Sequence, residues 1–139
     1  MQIAIMADDN KKELMTQFCI AYCGILSKHD LCATGTTGKL IAEATGLQVD
    51  CLMAGTVGGE EQLLGRIEYD EIDLLLFFRD TTALNENKYV RAVDEKLLLM
   101  CDKNNVPLAT NIATAEVLIL ALDRGDLAWR ELVNPRYNK

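Results

Sequence analysis

Five short segments of this 139-residue chain combine small, hydroxyl-bearing and ionisable residues in patterns that suit chemistry on an anion. In Thr34-Gly35-Thr36-Thr37-Gly38, the glycines let the backbone approach a ligand and the threonines offer hydroxyl donors. The segment lies just before an expected helix start, where free N–H groups and the helix dipole favour a phosphate or carboxylate. Lys12, behind Asp8 and Asp9, adds a point charge of the kind commonly used for phosphate. Glu60 follows Gly58-Gly59, Asp80 follows Arg79 at the end of an apolar run, and Thr110-Asn111-Ile112-Ala113-Thr114 is the fifth segment. Taken singly, Lys12 reads as an exposed helix lysine and Glu60 as a carboxylate favoured by a helix start. Together they suit acid–base chemistry on a phosphorylated molecule, because burial and neighbouring charge can tune one carboxylate into a base.

Other chemistries fit poorly. Gly35-Thr36-Thr37-Gly38-Lys39-Leu40 has two residues between its glycines and a leucine after the lysine, so it is not a nucleotide P-loop. No GxGxxG fingerprint is present either. Cysteines 19, 23, 32, 51 and 101 lack paired CxxC spacing and read as buried free thiols of a reducing cytosol, with no metal site expected. His29, the single histidine, sits in a polar Ser-Lys-His-Asp turn and reads as a surface residue.

These segments need a frame that brings them together. Ile3–Ala7 reads as a strand, and Leu14, Phe18, Tyr22, Ile25 and Leu26 recur at helical spacing behind Asp8 or Asp9 as N-cap. Leu31–Ala33, Val49–Met53, Ile72–Phe78 and Val106–Ala109 are the further strands. Helices are expected over Gly38–Thr45, around Glu60–Glu68, within Tyr89–Lys103 and over Ala113–Leu122. The nearly uniform apolar run Ile72–Phe78 marks a central strand covered on both faces. Alternating strands and helices imply an α/β fold: a single three-layer domain over residues 1–139, with a five-stranded, mainly parallel sheet and helices on both faces. In such sheets ligands bind beyond the carboxyl ends of the strands, where the five segments fall.

Composition narrows the function. With 14 Lys plus Arg against 21 Asp plus Glu, the net charge of -7 argues against a nucleic-acid groove or a polybasic membrane anchor. The apolar runs fall far short of the roughly 20 residues of a membrane span. The first residues carry no basic region before a long apolar one, so no signal peptide is expected and a cytoplasmic location follows.

Four motifs in order carry a specific resemblance. Ala33-Thr34-Gly35-Thr36-Thr37-Gly38, Gly55-x-x-Gly58-Gly59-Glu60-x-Gln62, Phe77-Phe78-x-Asp80 and Pro107-Leu108-Ala109-Thr110-Asn111-x-x-Thr114-Ala115 together resemble the methylglyoxal synthase family, from Met1 to about Trp129. The fold alone would not select an activity, since other ligand-binding domains share it. The resemblance implies that dihydroxyacetone phosphate loses a carbon-bound proton to a base, and that the resulting enediolate expels phosphate to leave methylglyoxal. It implies no metal or organic cofactor, no nucleic-acid or membrane partner, and a homohexamer. It places the phosphate on Lys12, Thr34, Gly35, Thr36, Thr37, Ala54 and Gly55, the base at Glu60, and catalytic support at Asp80 and Asp9.

The departures fall mostly on the catalytic side. Asp8-Asp9 stands for a His-Asp pair, Ala54 for a serine, and Glu60 for an aspartate one methylene shorter. Asn87 stands where the family has a histidine that polarises the substrate carbonyl, in a segment, Thr81–Asp94, about three residues longer than usual. A lost electrophile of that kind costs about 3 kcal/mol of transition-state stabilisation, roughly a hundredfold in rate, unless Asn87, Lys88 or Arg79 takes its place. The extra carboxylate at Asp8 weakens phosphate binding by like-charge repulsion. Two readings follow: a methylglyoxal synthase, and a non-catalytic sensor that keeps the phospho-ligand cradle.

Overall fold

Alternation along the strands builds two cores. The computed structural model describes residues 1–53, 58–82 and 88–134, with only the backbone of 88–93. In β1 (Gln2–Ala7), Ile3 and Ile5 face one side of the sheet while Ala4 and Met6 face the other. In β4 (Leu74–Phe78), Leu74, Leu76 and Phe78 join the first side, and Leu75 and Phe77 the second. All five β4 residues are buried, as the unbroken apolar run predicts.

The first face is covered by α1 (Lys12–Ala21), α3 (Gly35–Thr45) and α6 (Ile112–Asp123), through Met15, Phe18, Ile41 and Ile119. The second is covered by α4 (Gly59–Glu68) and α5 (Lys88–Lys103), through Leu63, Ile67, Leu97 and Cys101. A three-layer α/β domain results, as expected. The remaining elements are α2 (Cys23–Leu26), β2 (Asp30–Ala33), β3 (Val49–Cys51), β5 (Leu108–Ala109) and α7 (Trp129–Val133).

The sheet runs β3-β2-β1-β4-β5 with every pair parallel. The chain moves outward from β1 through β2 to β3, then crosses back to place β4 on the other side of β1. That reversal between β1 and β4 opens the crevice where ligands of such sheets bind. The register aligns the strand ends: Ala7 lies opposite Phe78, and Ile5 opposite Ala33. Asp8, Thr34 and Arg79-Asp80 therefore leave the sheet along one rim.

Several boundaries differ from the sequence reading. The first helix breaks at Tyr22 (φ -108°, ψ 22°), so the expected single helix is α1 and α2. Neither Asp8 nor Asp9 caps it; a 3-10 turn at Asp9–Lys11 intervenes and Lys11 is the N-cap. The third strand stops at Cys51, two residues early, and β5 contains only Leu108 and Ala109. Helix α3 starts at Gly35, three residues early, so Gly35, Thr36 and Thr37 form its first turn rather than a preceding loop. A Cβ on Gly38 would meet Cys51 Sγ at 2.7 Å and Ala33 Cβ at 3.4 Å, so glycine lets α3 lie close on β2 and β3.

All five cysteines are free, with Cys19, Cys32 and Cys101 buried and Cys51 exposed. His29 is half-buried rather than a plain surface residue, its Nδ1 3.2 Å from the Met1 amino group. Burial, then the amino group, lowers its pKa. Among the described residues no helix is long and apolar enough to cross a membrane.

Candidate active site

The rim at the carboxyl ends of β1 and β4 is tied together by its own backbone. Asp8 N–H donates to Phe78 O at 3.0 Å, and Asp80 N–H donates back to Asp8 Oδ2 at 2.6 Å. Asp80 Oδ1 accepts from Thr82 N–H at 2.9 Å and Thr82 Oγ1 at 2.6 Å, a turn closed by an aspartate side chain. Asp8 thus faces inward. Asp9 faces out, its side chain 97% exposed, and holds Lys12 Nζ at 2.5 Å. In this arrangement Asp9 positions the lysine, and Asp8 is the acid beside Asp80.

The cradle is the N-terminal turn of α3. Thr34 is its extended N-cap and makes no side-chain capping bond, which leaves the Thr36 and Thr37 N–H groups, but not that of Gly35, for a ligand. Thr34 and Thr37 are buried, Gly35 is half-buried and Thr36 is exposed. Gly35 N–H donates to Met53 O at 3.2 Å and Gly38 N–H to Thr34 O at 2.8 Å. Thr37 Oγ1 is buried without a hydrogen-bond partner among the described residues. A buried hydroxyl left unpaired costs about 1–3 kcal/mol, a cost that a bound oxyanion would relieve. Ala54, Gly55 and Asn87 lie outside the described residues, as do the side chains of Lys88 and Arg91.

Glu60 enters from the other face. Gly58 caps α4 with φ at +104°, a conformation that L side chains rarely adopt, and Glu60 follows in the first turn. Gln62 Oε1 accepts from Met53 N–H at 2.8 Å and fixes this turn to the end of β3. Burial, followed by the charges of Asp94, Asp8 and Glu61, pushes the Glu60 carboxyl up to about 7. A carboxyl so placed can take or give a proton at neutral pH.

Sequence reasoning passed over Asp94. It lies on α5, 1% exposed, with Oδ2 3.9 Å from Arg79 Nε. Burial first, then Asp8, raise its pKa to about 6 against the opposing charge of Arg79. The available signal was its spacing: Asp94, Leu97 and Cys101 form one helical stripe, so the acid shares a face with core residues.

Two hollows flank the sheet ends. One of about 290 Å³, lined by Lys11, Phe78, Arg79, Thr81, Thr110 and Asn111 among others, opens at the carboxyl rim. A broader one of about 1050 Å³ lies at the opposite rim between Gln2, His29, Asp30, Gly46, Arg66 and Glu71. The strand-end carboxylates and the α3 cradle single out the carboxyl rim despite its smaller hollow.

Known proteins match this arrangement. The family profile described as the MGS-like domain matches residues 17–110. A methylglyoxal synthase of Caldicellulosiruptor saccharolyticus is 58% identical over 140 aligned residues, covering 100% of this chain and 96% of its own. One from Oceanobacillus iheyensis is 48% identical and covers 100% and 97%. The crystal structure of the methylglyoxal synthase from Elizabethkingia anophelis superposes with a TM-score of 0.75 at 35% identity, over 85% of this chain and 76% of that one. Taken with the strand-end rim and the α3 cradle, these matches mean that the chain belongs to the methylglyoxal synthase family.

Proposed function

We propose that this chain catalyses the reaction its relatives are named for, the conversion of dihydroxyacetone phosphate to methylglyoxal and inorganic phosphate. The observation that carries the reading is the position of Glu60 in the first turn of α4, with the N-terminal turn of α3 and its unpaired Thr37 hydroxyl on the other side of the sheet; burial pushes its carboxyl up to about 7. The α3 N-terminus, Thr34, Thr36, the Thr37 hydroxyl and Lys12 hold the phosphate, with Gly35 giving backbone access and Ala54 and Gly55 completing the loop. Glu60 takes a proton from the carbon next to the carbonyl, leaving an enediolate. The carbon–oxygen bond to phosphate then breaks, phosphate departs, and the enol left behind becomes methylglyoxal by regaining a proton on carbon. Asp80 and Asp8 orient the reacting end, and Asp9 keeps Lys12 in place. Asn87, Lys88 or Arg79 supplies the donor for the developing oxyanion in place of the family histidine.

The whole-chain likeness to named synthases favours this reading over a ligand sensor without turnover. The proposal extends to a single domain that acts in the cytoplasm as a homohexamer. Sedimentation of the purified chain tests that part.

Replacing Glu60 by glutamine tests the chemistry. Turnover is expected to fall by about a thousandfold, the scale of a lost general base, while calorimetric binding of dihydroxyacetone phosphate is retained. Unchanged turnover would remove Glu60 from the role.

A further inference from the structure

Asp8 is fixed at the carboxyl rim without a counter-charge. Its backbone N–H donates to Phe78 O at 3.0 Å, and its carbonyl accepts from Lys11 N–H at 2.8 Å. Its side chain is half-buried, and Oδ2 accepts from Asp80 N–H at 2.6 Å. Among the described residues Oδ1 accepts no hydrogen bond and Asp8 joins no ion pair. The nearby cations have other partners: Lys12 is held by Asp9 at 2.5 Å, and Arg79 Nε stands 3.9 Å from Asp94.

The sheet sets how far this carboxylate lies from the phosphate cradle. Ile5 pairs with Ala33, so Thr34 follows on beside Met6, and Asp8 lies two residues further along. Asp8 and Thr34 are both extended (φ -63°, ψ 157° and φ -61°, ψ 147°), so each continues the line of its strand. Strand geometry then separates the two residues by about 7 Å along the strands and about 5 Å across them. A short chain with its phosphate on the first turn of α3 can therefore bring its other end to Asp8. That end is acidic on other sides too. Burial first, and then neighbouring charges that include Asp8 in both cases, raise the Glu60 and Asp94 carboxyls.

We propose that Asp8 is a specificity-determining residue: its fixed carboxylate admits phosphate monoesters whose far end is an uncharged, hydroxyl-bearing group and rejects those of the same length that end in a carboxylate. This role rests on the α3 turn holding the phosphate, as in the proposed function. A ligand hydroxyl can donate to Asp8 Oδ1, whereas a carboxylate has no proton to donate and brings a second negative charge to an acidic end. Where the resemblance places a histidine, the aspartate supplies a charge that a neutral imidazole lacks.

The test is a matched pair of phosphate monoesters, glycerol 3-phosphate and 3-phosphoglycerate, which differ only in a terminal hydroxymethyl against a carboxylate. Calorimetry of the full chain gives the ratio of their dissociation constants, with inorganic phosphate reporting on the cradle alone. The parent is expected to bind glycerol 3-phosphate about tenfold more tightly than 3-phosphoglycerate, or better. Asp8→Asn keeps an oxygen for the Asp80 N–H and replaces the repelling oxygen by an amide donor. In this variant the ratio should shrink by about tenfold through tighter 3-phosphoglycerate, with inorganic phosphate changing by less than about threefold. Asp8→Ser, smaller and also neutral, should shrink the ratio in the same way if the asparagine variant folds poorly. A ratio that keeps its parent value in a folded neutral variant overturns the proposal, as does a parent that binds the two esters equally. Neither ester has to react, so a chain inactive toward dihydroxyacetone phosphate would count against the proposed reaction while the ratio is still decided.

Discussion

Each rim of the sheet sets an arginine beside a buried aspartate, Arg130 buried at one and Arg79 half-buried at the other, and the two pairs are built differently. At the amino rim, Asp73 Oδ2 accepts from Gln2 N–H at 2.8 Å, and Asn134 Nδ2 reaches Asp73 Oδ1 at 3.4 Å and Asp70 O at 3.0 Å. Arg130 lies 3.5 Å from Asp73 Oδ1 through Nε, while its terminal nitrogens donate to Asn105 O and Ile72 O. Those bonds staple α7 and the turn after α5 to the start of β4. At the carboxyl rim, Asp94 and Arg79 stand 3.9 Å apart, with one buried polar atom on each side unbonded among the described residues. Among the described residues the arginine Nε lacks a hydrogen bond at both ends, but both Asp73 oxygens and the terminal nitrogens of Arg130 are bonded, whereas Asp94 Oδ1 is not. A buried ion pair gains from added hydrogen bonds and loses without them. The amino rim is the more fully bonded of the two, and under the proposed function the open groups of the carboxyl rim meet the ligand and its proton.

Breaking the Arg130–Asp73 pair should have the largest effect on folding. Arg130→Met leaves Asp73 buried without its cation, and about 3–5 kcal/mol of stability should be lost. Denaturant unfolding reads that loss, while kcat of the remaining folded protein should hold. A loss of kcat without a loss of stability would erase the distinction between the rims.

A smaller effect is expected at the cradle. Thr37→Val keeps the shape and removes the unpaired hydroxyl. The folded protein should be no less stable, because no internal hydrogen bond is lost. KM for the phosphorylated substrate should rise by about tenfold, the scale of one hydrogen bond to a charged group. Lower stability with unchanged KM would mean that the hydroxyl serves the fold instead.

The smallest change concerns pH. The Glu60 and Asp94 carboxyls are raised in the folded chain, to about 7 and about 6 from ordinary values of 4.5 and 3.8. The folded state therefore holds protons that the unfolded chain has released. Their contribution to stability declines as pH rises from about 4 to about 7 and stays low above that. Glu60→Gln removes the penalty, so the variant should melt a little higher than the parent at pH 8, and the gain should vanish near pH 4. A lower melting temperature at pH 8 would argue that the charged Glu60 is well solvated and stabilising.

Sequence alone carries much of the frame. The buried run ending in Phe77-Phe78 announces a central strand, and the strand–helix alternation announces the rim where ligands bind. The Thr-Gly-Thr-Thr-Gly segment is legible as an anion cradle, although its glycines disguise it as a loop when it is the first turn of α3. The relation of Asp8 to Asp9 is hidden, because which of two adjacent acids faces inward depends on the 3-10 turn that follows them. Asp94 is hidden for a deeper reason. Its neighbours Arg79, Asp8 and Glu60 come from three separate elements, and only packing of α5 against α4 and the sheet brings them near. Helix α7 escapes because Trp129–Val133 is only five residues long and is held by Arg130 rather than by an apolar stripe.

The most direct test gives the purified chain dihydroxyacetone phosphate and follows methylglyoxal and inorganic phosphate in the same sample. Equal amounts of the two, rising together and lost in Glu60→Gln, are the expected result. Binding of the compound without release of either product would contradict it and leave a cradle without chemistry.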